Sequence, residues 1–412
     1  MNGGPTKWFD VDWARERKKL AKLQRRQTTA VLNGDRRRAR RLRQLIRKSA
    51  SAKLLAARKV AKENSGARTP GVDEVANLSD ESLAALAMSL SSKATGLPNR
   101  GIRLLKRTGK SRTIQVPPMR DRAEQELMKL SFQAEMSCQL DPLLIGARKP
   151  LPDEDNKTSG IYDAIEMAAR WLSEGPVYAG RTDIQDFFPS VPWEKVQEAV
   201  HPSSAEASAI HAWMAAPTVL RDGRRLEPKG LSQGSPLSPL LAHAVLKDLH
   251  AHALEPFDEA DRPLLLVYVD DVLVLGKRPE DVSTVMRRVK RWLEERGLAL
   301  NGEKSVGLAM EDVLYSAQDP LAEGGFTFLG VRFEHMPENP ELVDLGPEGW
   351  DSYPPEIVEA RQHMKRKSGW ELRLTVLQKE GSGYGAVDPA VLARRLRGIA
   401  FVTKEGSDFD WY

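Results

Sequence analysis

The stretch Leu264–Gly276, LLLVYVDDVLVLG, is an apolar run cut in its middle by Asp270 and Asp271. Apolar strands on both sides of adjacent carboxylates read as a β-hairpin with the acids at or beside its tight turn. An Asp pair is common in exposed turns. Between two buried strands it is costly unless cations neutralise it. A second stretch supplies a third acid: VYAGRTDIQDFFPSV, Val177–Val191, runs as an apolar strand into Asp183 and continues into Phe187 and Phe188. Asp183 on a neighbouring strand would complete an oxygen cage for two Mg²⁺ ions, which take few protein carboxylates and leave other positions to water and phosphate. Two ions about 3.5–4 Å apart activate an attacking hydroxyl and stabilise a leaving pyrophosphate. The chemistry this implies is nucleotidyl transfer.

The rest of the composition narrows the class. The chain has 412 residues, 41% apolar and 29% charged, and no run nears the roughly 20 apolar residues of a membrane span. Met1–Asp10 lacks the basic start and apolar stretch of a secretory signal, and Cys138 is the only cysteine, so a reducing cytoplasm is the expected compartment. Cys138 sits in a helical stretch, where a small buried apolar role is expected. The net charge of +5 conceals an asymmetry: between Ala14 and Lys62 about twenty Lys and Arg stand against only Glu16 and Asp35. That density suggests phosphate contact, with Arg36, Arg37, Arg40, Arg41, Arg47 and Lys48 as the RNA-binding candidates. The bland alternative is a solvated basic helix pair.

Periodicity predicts a helical hairpin broken at Asn33-Gly34-Asp35, a Gly/Pro-punctuated connection over Ser65–Asp73, and a helix capped at Ser79. GIRLLKRTGKSRTIQV, Gly101–Val116, reads as a β-hairpin with a basic tip. Helices are expected over Asp121–Cys138, Ile161–Ser173, from Trp193, over Pro239–Leu254 and over Pro279–Gly297, with a loop at Glu227–Ser235. A strand pair is expected from Leu298–Leu308 and Phe326–Phe333, then helices over Pro355–Lys379 and Pro389–Phe401. The simplest layout is α+β with a small antiparallel sheet.

At this point the sequence resembles a known family. TDIQDFFPSV, GLSQGSPLSPLLA, YVDD, LNGEKS and FTFLGVRF are similar, in order, to the five palm motifs of reverse transcriptases, most closely the bacterial group II intron-like branch. Upstream, LQRRQTTAVLNGDRRRARRLRQLIRKSASAKLLAARKV and TPGVD resemble the N-terminal extension of that branch, and RRLRGIAF resembles its thumb. The resemblance implies a right-hand polymerase: a basic helical extension over 1–75, fingers with the first part of the palm over 76–182, palm over 183–335 and a short helical thumb over 336–412.

It also implies roles. Asp183, Asp270 and Asp271 would hold the metals, Mg²⁺ or alternatively Mn²⁺, with the backbone carbonyl of Ile184 as a further ligand. Phe188, beside Asp186 and Phe187, would be the steric gate that excludes a 2′-hydroxyl; Phe187 is expected to pack in the core. Gln233 and Gly234 would border the incoming nucleotide, and Lys106, Lys110 and Arg112 would clamp its triphosphate. Lys304 could act as general acid for pyrophosphate. Arg148, Ser235, Pro236, Tyr268 and Val269 would lie on the template or primer side, and Phe328, Leu329 and Gly330 would form a primer-grip hairpin.

One departure is Val269, where the family usually has Ala. The end of the chain at Tyr412 leaves no room for DNA-binding and endonuclease segments, so the expectation is a free-standing enzyme resembling defence-associated reverse transcriptases. Its partners would be a structured non-coding RNA template, deoxynucleotides and a DNA product. Retron-like, CRISPR-associated, intron-derived, template-independent or protein-primed enzymes use the same palm. An RNA-binding splicing cofactor would not need three carboxylates and a gate, and an RNA-dependent RNA polymerase would carry a smaller residue at 188.

Overall fold

Alternation with a period of two builds the centre of the molecule. In the computed structural model, which describes residues 8–105, 111–148, 160–173, 178–301, 325–336, 371–377, 387–397 and 399–404, the first elements are helical. They are α1 (Trp13–Leu32), α2 (Arg36–Lys48), α3 (Ala50–Arg58) and α4 (Asp80–Ser89). The Asp12 and Asp35 carboxylates accept the Arg15 and Arg38 amides, so both basic helices start on an acidic cap at the positive end of the dipole. The predicted hairpin is α1 and α2; α3 follows it directly.

The hairpin of β1 (Asn99–Leu105) and β2 (Ser111–Val116) leads into the long α5 (Met119–Gln139), then β3 (Leu144–Ile145), α6 (Ile161–Leu172) and β4 (Tyr178–Asp183). After β4 come the short α7 (Phe187–Ser190), α8 (Trp193–Val200), α9 (Ser204–Met214), β5 (Thr218–Val219) and β6 (Arg225–Leu226). Next are α10 (Ser238–Val245), α11 (Leu249–Leu254), β7 (Leu264–Tyr268), β8 (Asp271–Gly276) and α12 (Pro279–Glu294). The expected single helix over Pro239–Leu254 is two helices. Between them Leu246, Lys247 and Leu249 donate to carbonyls three residues back, which breaks the α-helical ladder.

The central sheet has the order β3-β7-β8-β4, with β3 parallel to β7 and the rest antiparallel. Leu265, Val267, Val272 and Val274 enter the core on one face, with α10, α11 and α12; Leu266, Leu273 and Leu275 enter the other, with α6. Burial on both faces explains why the strands read as continuous apolar runs. Each of these side chains contributes about 1.5–3 kcal/mol relative to exposure.

The C-terminal part differs from the expectation. Phe326–Phe333, expected as one strand of a pair with Leu298–Leu308, is itself a hairpin of β9 (Gly325–Phe328) and β10 (Val331–Met336), whose two-residue turn puts Leu329 and Gly330 at positive φ. Leu298–Asn301 instead docks on the end of β4, and 302–308 lie outside the described residues. Of the helix expected over Pro355–Lys379, residues 355–370 and 378–379 lie outside the described residues and Glu371–Val376 is β11; Phe401–Lys404 is β12 beyond a helix that ends at Arg395. Leu372, Leu374 and Val376 alternate with Arg373 and Thr375, and that period selects a strand against β10. The resulting sheet has the order β12-β11-β10-β9. The fold is α+β, and among the described residues no helix is long and apolar enough to cross a membrane.

Candidate active site

Strand register brings the acids together. Asp183, the last residue of β4, is the direct partner of Asp271, the first residue of β8, and Asp271 in turn faces Tyr268 across the hairpin. Asp270 occupies the turn, and its carbonyl accepts the Ile184 amide at 2.9 Å. Asp183 and the adjacent pair Asp270 and Asp271, far apart in sequence, therefore share one end of one sheet. The Asp183 side chain is 8% exposed and accepts Asn301 Nδ2 at 3.4 Å, while its carbonyl accepts the Asn301 amide at 2.9 Å. Asn301 was not singled out from sequence as a partner of the acids, although it lies in the LNGEKS motif.

Ile184 buries its side chain in the core and bridges Leu300. The hydrogen bonds flanking that bridge use the Asp183 carbonyl and the Gln185 amide, so they do not consume the Ile184 carbonyl. Among the described residues no three His, Cys, Asp or Glu side chains form a ready cage for a metal. A donor set of few carboxylates fits Mg²⁺, which completes its shell with water and phosphate. Burial holds the Tyr268 phenol above its ordinary pKa, and the Asp271 charge adds to the shift.

Val269 sits in the turn at φ 57°, a conformation costly for a β-branched residue. Its amide donates to the Ile145 carbonyl, and its Cγ2 lies 2.8 Å from where a Cβ on Gly146 would be. Only glycine at 146 leaves that space.

The second group of residues adjoins the acids. Phe187 is core, packed beside the half-buried Phe188 with ring centroids 5.7 Å apart, and Asp186 holds the bend between strand and helix at φ 43°. The Leu231 amide donates to the Phe188 carbonyl at 2.7 Å, which fastens the Gly230–Ser235 loop to the Phe188 segment. On its other side the loop docks on β2: the Gln233 amide donates to Gln115 Oε1 at 3.2 Å and Ser232 Oγ to the Gln115 carbonyl at 3.3 Å. A Cβ on Gly234 would collide with that carbonyl, so the close approach requires glycine. Gln115 gave no sequence signal. Gln233 is exposed, and Arg112 and Phe188 are half-buried, on the segments that this loop joins. Ser235 Oγ accepts the Leu237 amide, and Pro236 lies between them ahead of α10.

Other expected residues fall elsewhere. Arg148 is buried, 3% exposed. Phe328 is core, and Leu329 and Gly330 form the hairpin turn. Lys106, Lys110 and Lys304 lie outside the described residues. Cys138 is half-buried, with Sγ 3.2 Å from the Ala134 carbonyl.

Among the N-terminal arginines, Arg36, Arg37, Arg40, Arg41 and Lys48 are exposed. Arg47 is turned inward, 9% exposed at its side chain and 3.0 Å from Glu206. Arg43, absent from the sequence candidates, is buried over the Phe132 ring, donates to the Val200 and His201 carbonyls and pairs with Glu135 and Glu206. Its place on the apolar stripe with Leu42 and Ile46 was the signal available. Burial pushes the Glu135 carboxyl up, with Arg43 opposing and Glu206 adding to the shift.

Known proteins bear on this arrangement as follows. Over 237 residues the chain is 24% identical to the protein YkfC of Escherichia coli K12, a match covering 53% of this chain and 58% of that relative. The chain thus spans just over half the length of YkfC. Solved structures with some likeness include apo telomerase from Candida tropicalis (16% identity, 59% of this chain and 54% of that one, TM-score 0.40). Telomerase from Candida albicans in complex with a telomeric RNA fragment is similar at 12% identity over 57% of this chain and 45% of that one, again at TM-score 0.40. Both scores are too low to establish a shared fold. The family comparison is decisive: residues 8–90 match the N-terminal domain of reverse transcriptase, and residues 99–333, which hold the three aspartates and the Gln233 loop, match its catalytic model. More than half of this chain is accounted for by that match, and it belongs to the reverse transcriptase (RNA-dependent DNA polymerase) family.

Proposed function

We infer that the chain is an RNA-directed DNA polymerase that extends a primer with deoxynucleotides on an RNA template, using two Mg²⁺ ions held by Asp183, Asp270 and Asp271. The observation that carries this reading is the direct opposition of Asp183 and Asp271 on adjacent strands, with Asp270 in the turn beside them. Three like charges gathered at one strand end favour cation binding. Bound there, the metal pair would supply Lewis-acid activation of the primer hydroxyl and charge neutralisation at the leaving pyrophosphate. The Ile184 carbonyl is the further ligand in this reading.

The protein's own residues orient and select. Phe188, fixed from below by Phe187 and through its carbonyl by the Gln233 loop, stands under the sugar and excludes a 2′-hydroxyl. Gln233 and Gly234 border the incoming nucleotide, and Arg112, with Lys106 and Lys110, holds its triphosphate. Lys304 would protonate the leaving group. Tyr268, Val269, Ser235, Pro236 and the Leu329-Gly330 turn lie on the primer and template side in this reading, with Phe328 buried beneath the turn. In this layout 1–75 is a basic extension, 76–182 fingers, 183–335 palm and 336–412 thumb.

A finer reading follows from the motif pattern. The group II intron-like character and the exposed arginines of α2 support an enzyme that copies a structured non-coding RNA, with antiphage defence as its role. Primer extension on a primed RNA template tests the core of this proposal. Asp270→Asn with Asp271→Asn should abolish DNA synthesis while RNA binding persists; synthesis that survives refutes the metal assignment. Sequencing the nucleic acid that copurifies with the protein tests the finer reading, for which a single structured RNA species and its DNA copy are expected.

A further inference from the structure

Away from the aspartates, α2, α3, α9 and the segment after α4 enclose an open cleft of about 920 Å³. Four cationic side chains line it: Arg47 and Lys48 from the end of α2, Lys53 from α3, and Lys93 from the segment after α4. No carboxylate is among its lining residues. The acids nearest to it are engaged otherwise. Glu206 pairs with Arg43 and Arg47, and the Glu124 carboxylate accepts the Ser91 and Ser92 amides at 2.6 and 2.7 Å. Those two bonds, with the Thr95 amide donating to Asp121 at 2.8 Å, fix the segment that carries Lys93. Among the described residues Lys48, Lys53 and Lys93 have no ion-pair partner, and Arg47 Nε, nine-tenths buried, has no hydrogen-bond acceptor.

A concave site with excess cations focuses positive potential and selects an anion. We propose that this cleft binds an unpaired segment of RNA, separately from the polymerase site, with its phosphates held by Lys48, Lys53, Lys93 and Arg47. The volume is that of a ligand pocket, about 300–1,000 Å³, and admits a nucleotide or two but not a duplex. Ala209 and Ala212 of α9 form a low floor over which a base can lie. Concavity disfavours a flat anionic membrane. The site is continuous along α2 with the exposed Arg36, Arg37, Arg40 and Arg41, so a strand crossing that helix can enter it. The choice of RNA among polyanions rests on the polymerase reading above.

The test uses the full chain and a fluorescent single-stranded oligouridylate, titrated at several salt concentrations. Lys53 and Lys93 are not packed in the core, so Lys53→Ala with Lys93→Ala should leave folding intact, which a thermal melt verifies. The double variant should bind about tenfold more weakly, and its salt slope should be shallower by about 1.4, the share of two phosphates of a single strand. The same loss should appear when Arg36, Arg37, Arg40 and Arg41 are already Ala. Oligonucleotide carrying 4-thiouridine should crosslink to peptides containing 47–53 or 90–94. Unchanged affinity and slope, or crosslinks confined to other peptides, would overturn the proposal. So would loss of anionic-vesicle binding with RNA binding intact. Extension of a saturating primed template reads the aspartates and oligouridylate binding reads the cleft, so either can fail without the other.

Discussion

Two regions of this molecule concentrate charge, and they gather it differently. At the end of the central sheet the backbone does the gathering: strand register forces Asp183 against Asp271, and the Asp270 carbonyl is fastened to the Ile184 amide. In the N-terminal region side chains do it, with Arg43 and Arg47 finding Glu135 and Glu206 and leaving Arg36, Arg37, Arg40 and Arg41 outside. Backbone gathering places like charges together and stores repulsion that a cation relieves. Side-chain gathering pairs opposites, so the buried Arg43 serves the scaffold, while the outward charges and the unpaired Nε edge of Arg47 are left for a ligand.

The contrast can be broken most sharply at Asp271. Asp271→Asn should lower DNA synthesis about a thousandfold, roughly 4 kcal/mol of transition-state stabilisation, while the melting temperature holds or rises because repulsion is relieved. A fall in both would make Asp271 a structural residue. Glu206→Ala should do the reverse and cost about 3–5 kcal/mol of unfolding free energy in denaturant titration, since it strands the buried Arg47 guanidinium and removes one of the two carboxylates paired with Arg43. A loss under 1 kcal/mol would show that those pairs are incidental.

The core beneath the sheet adds a pH test. His243 in α10 is fully buried, no partner is found for either ring nitrogen among the described residues, and burial pushes its pKa down to about 4. The unfolded chain therefore takes up this proton first, so stability is lost as pH falls from about 6.5 towards about 4, by about 3 kcal/mol in total. His243→Leu should remove that part of the acid dependence; an unaltered profile would move the effect to other groups. His250 is lowered in the same direction by burial, opposed by Asp141 and by its bond to the Leu265 carbonyl, and contributes on the same acid side.

Smaller effects refine the account of the site. Phe188→Ala should raise ribonucleotide incorporation relative to deoxynucleotide by at least about tenfold, roughly 1.4 kcal/mol, in single-nucleotide extension. Unchanged discrimination would end the gate assignment. Val269→Asn, which tolerates positive φ, should stabilise the fold by about 1 kcal/mol. Reduced stability would show that packing of Val269 against Gly146 outweighs the turn's strain.

The acid end of the sheet was legible because its signal is local: an apolar run interrupted by Asp270-Asp271 admits little besides a hairpin, and Asp183 ends the next apolar strand. The pairing itself was an expectation, since register is set by packing on both faces. The N-terminal helices were legible as elements, but the sorting of their arginines was not. Arg47 was grouped with Arg40 and Arg41, yet the carboxylate that draws it inward stands far along the chain at Glu206. Gln115 likewise became part of the site only through the docking of the Gln233 loop. The C-terminal sheet was missed although ELRLTV alternates plainly, because Glu371–Val376 was absorbed into one long helical expectation over Pro355–Lys379 and its local period of two was not weighed.

The central claim is that Asp183, Asp270 and Asp271 share divalent metal. Mn²⁺ binding followed by electron paramagnetic resonance, with a deoxynucleoside triphosphate and a primed RNA template present, reads that sharing without turnover. The expected result is that Asp183→Asn and Asp271→Asn each remove the same tightly bound Mn²⁺ signal. Asp183→Asn retaining wild-type Mn²⁺ binding while Asp271→Asn loses it would contradict a shared site.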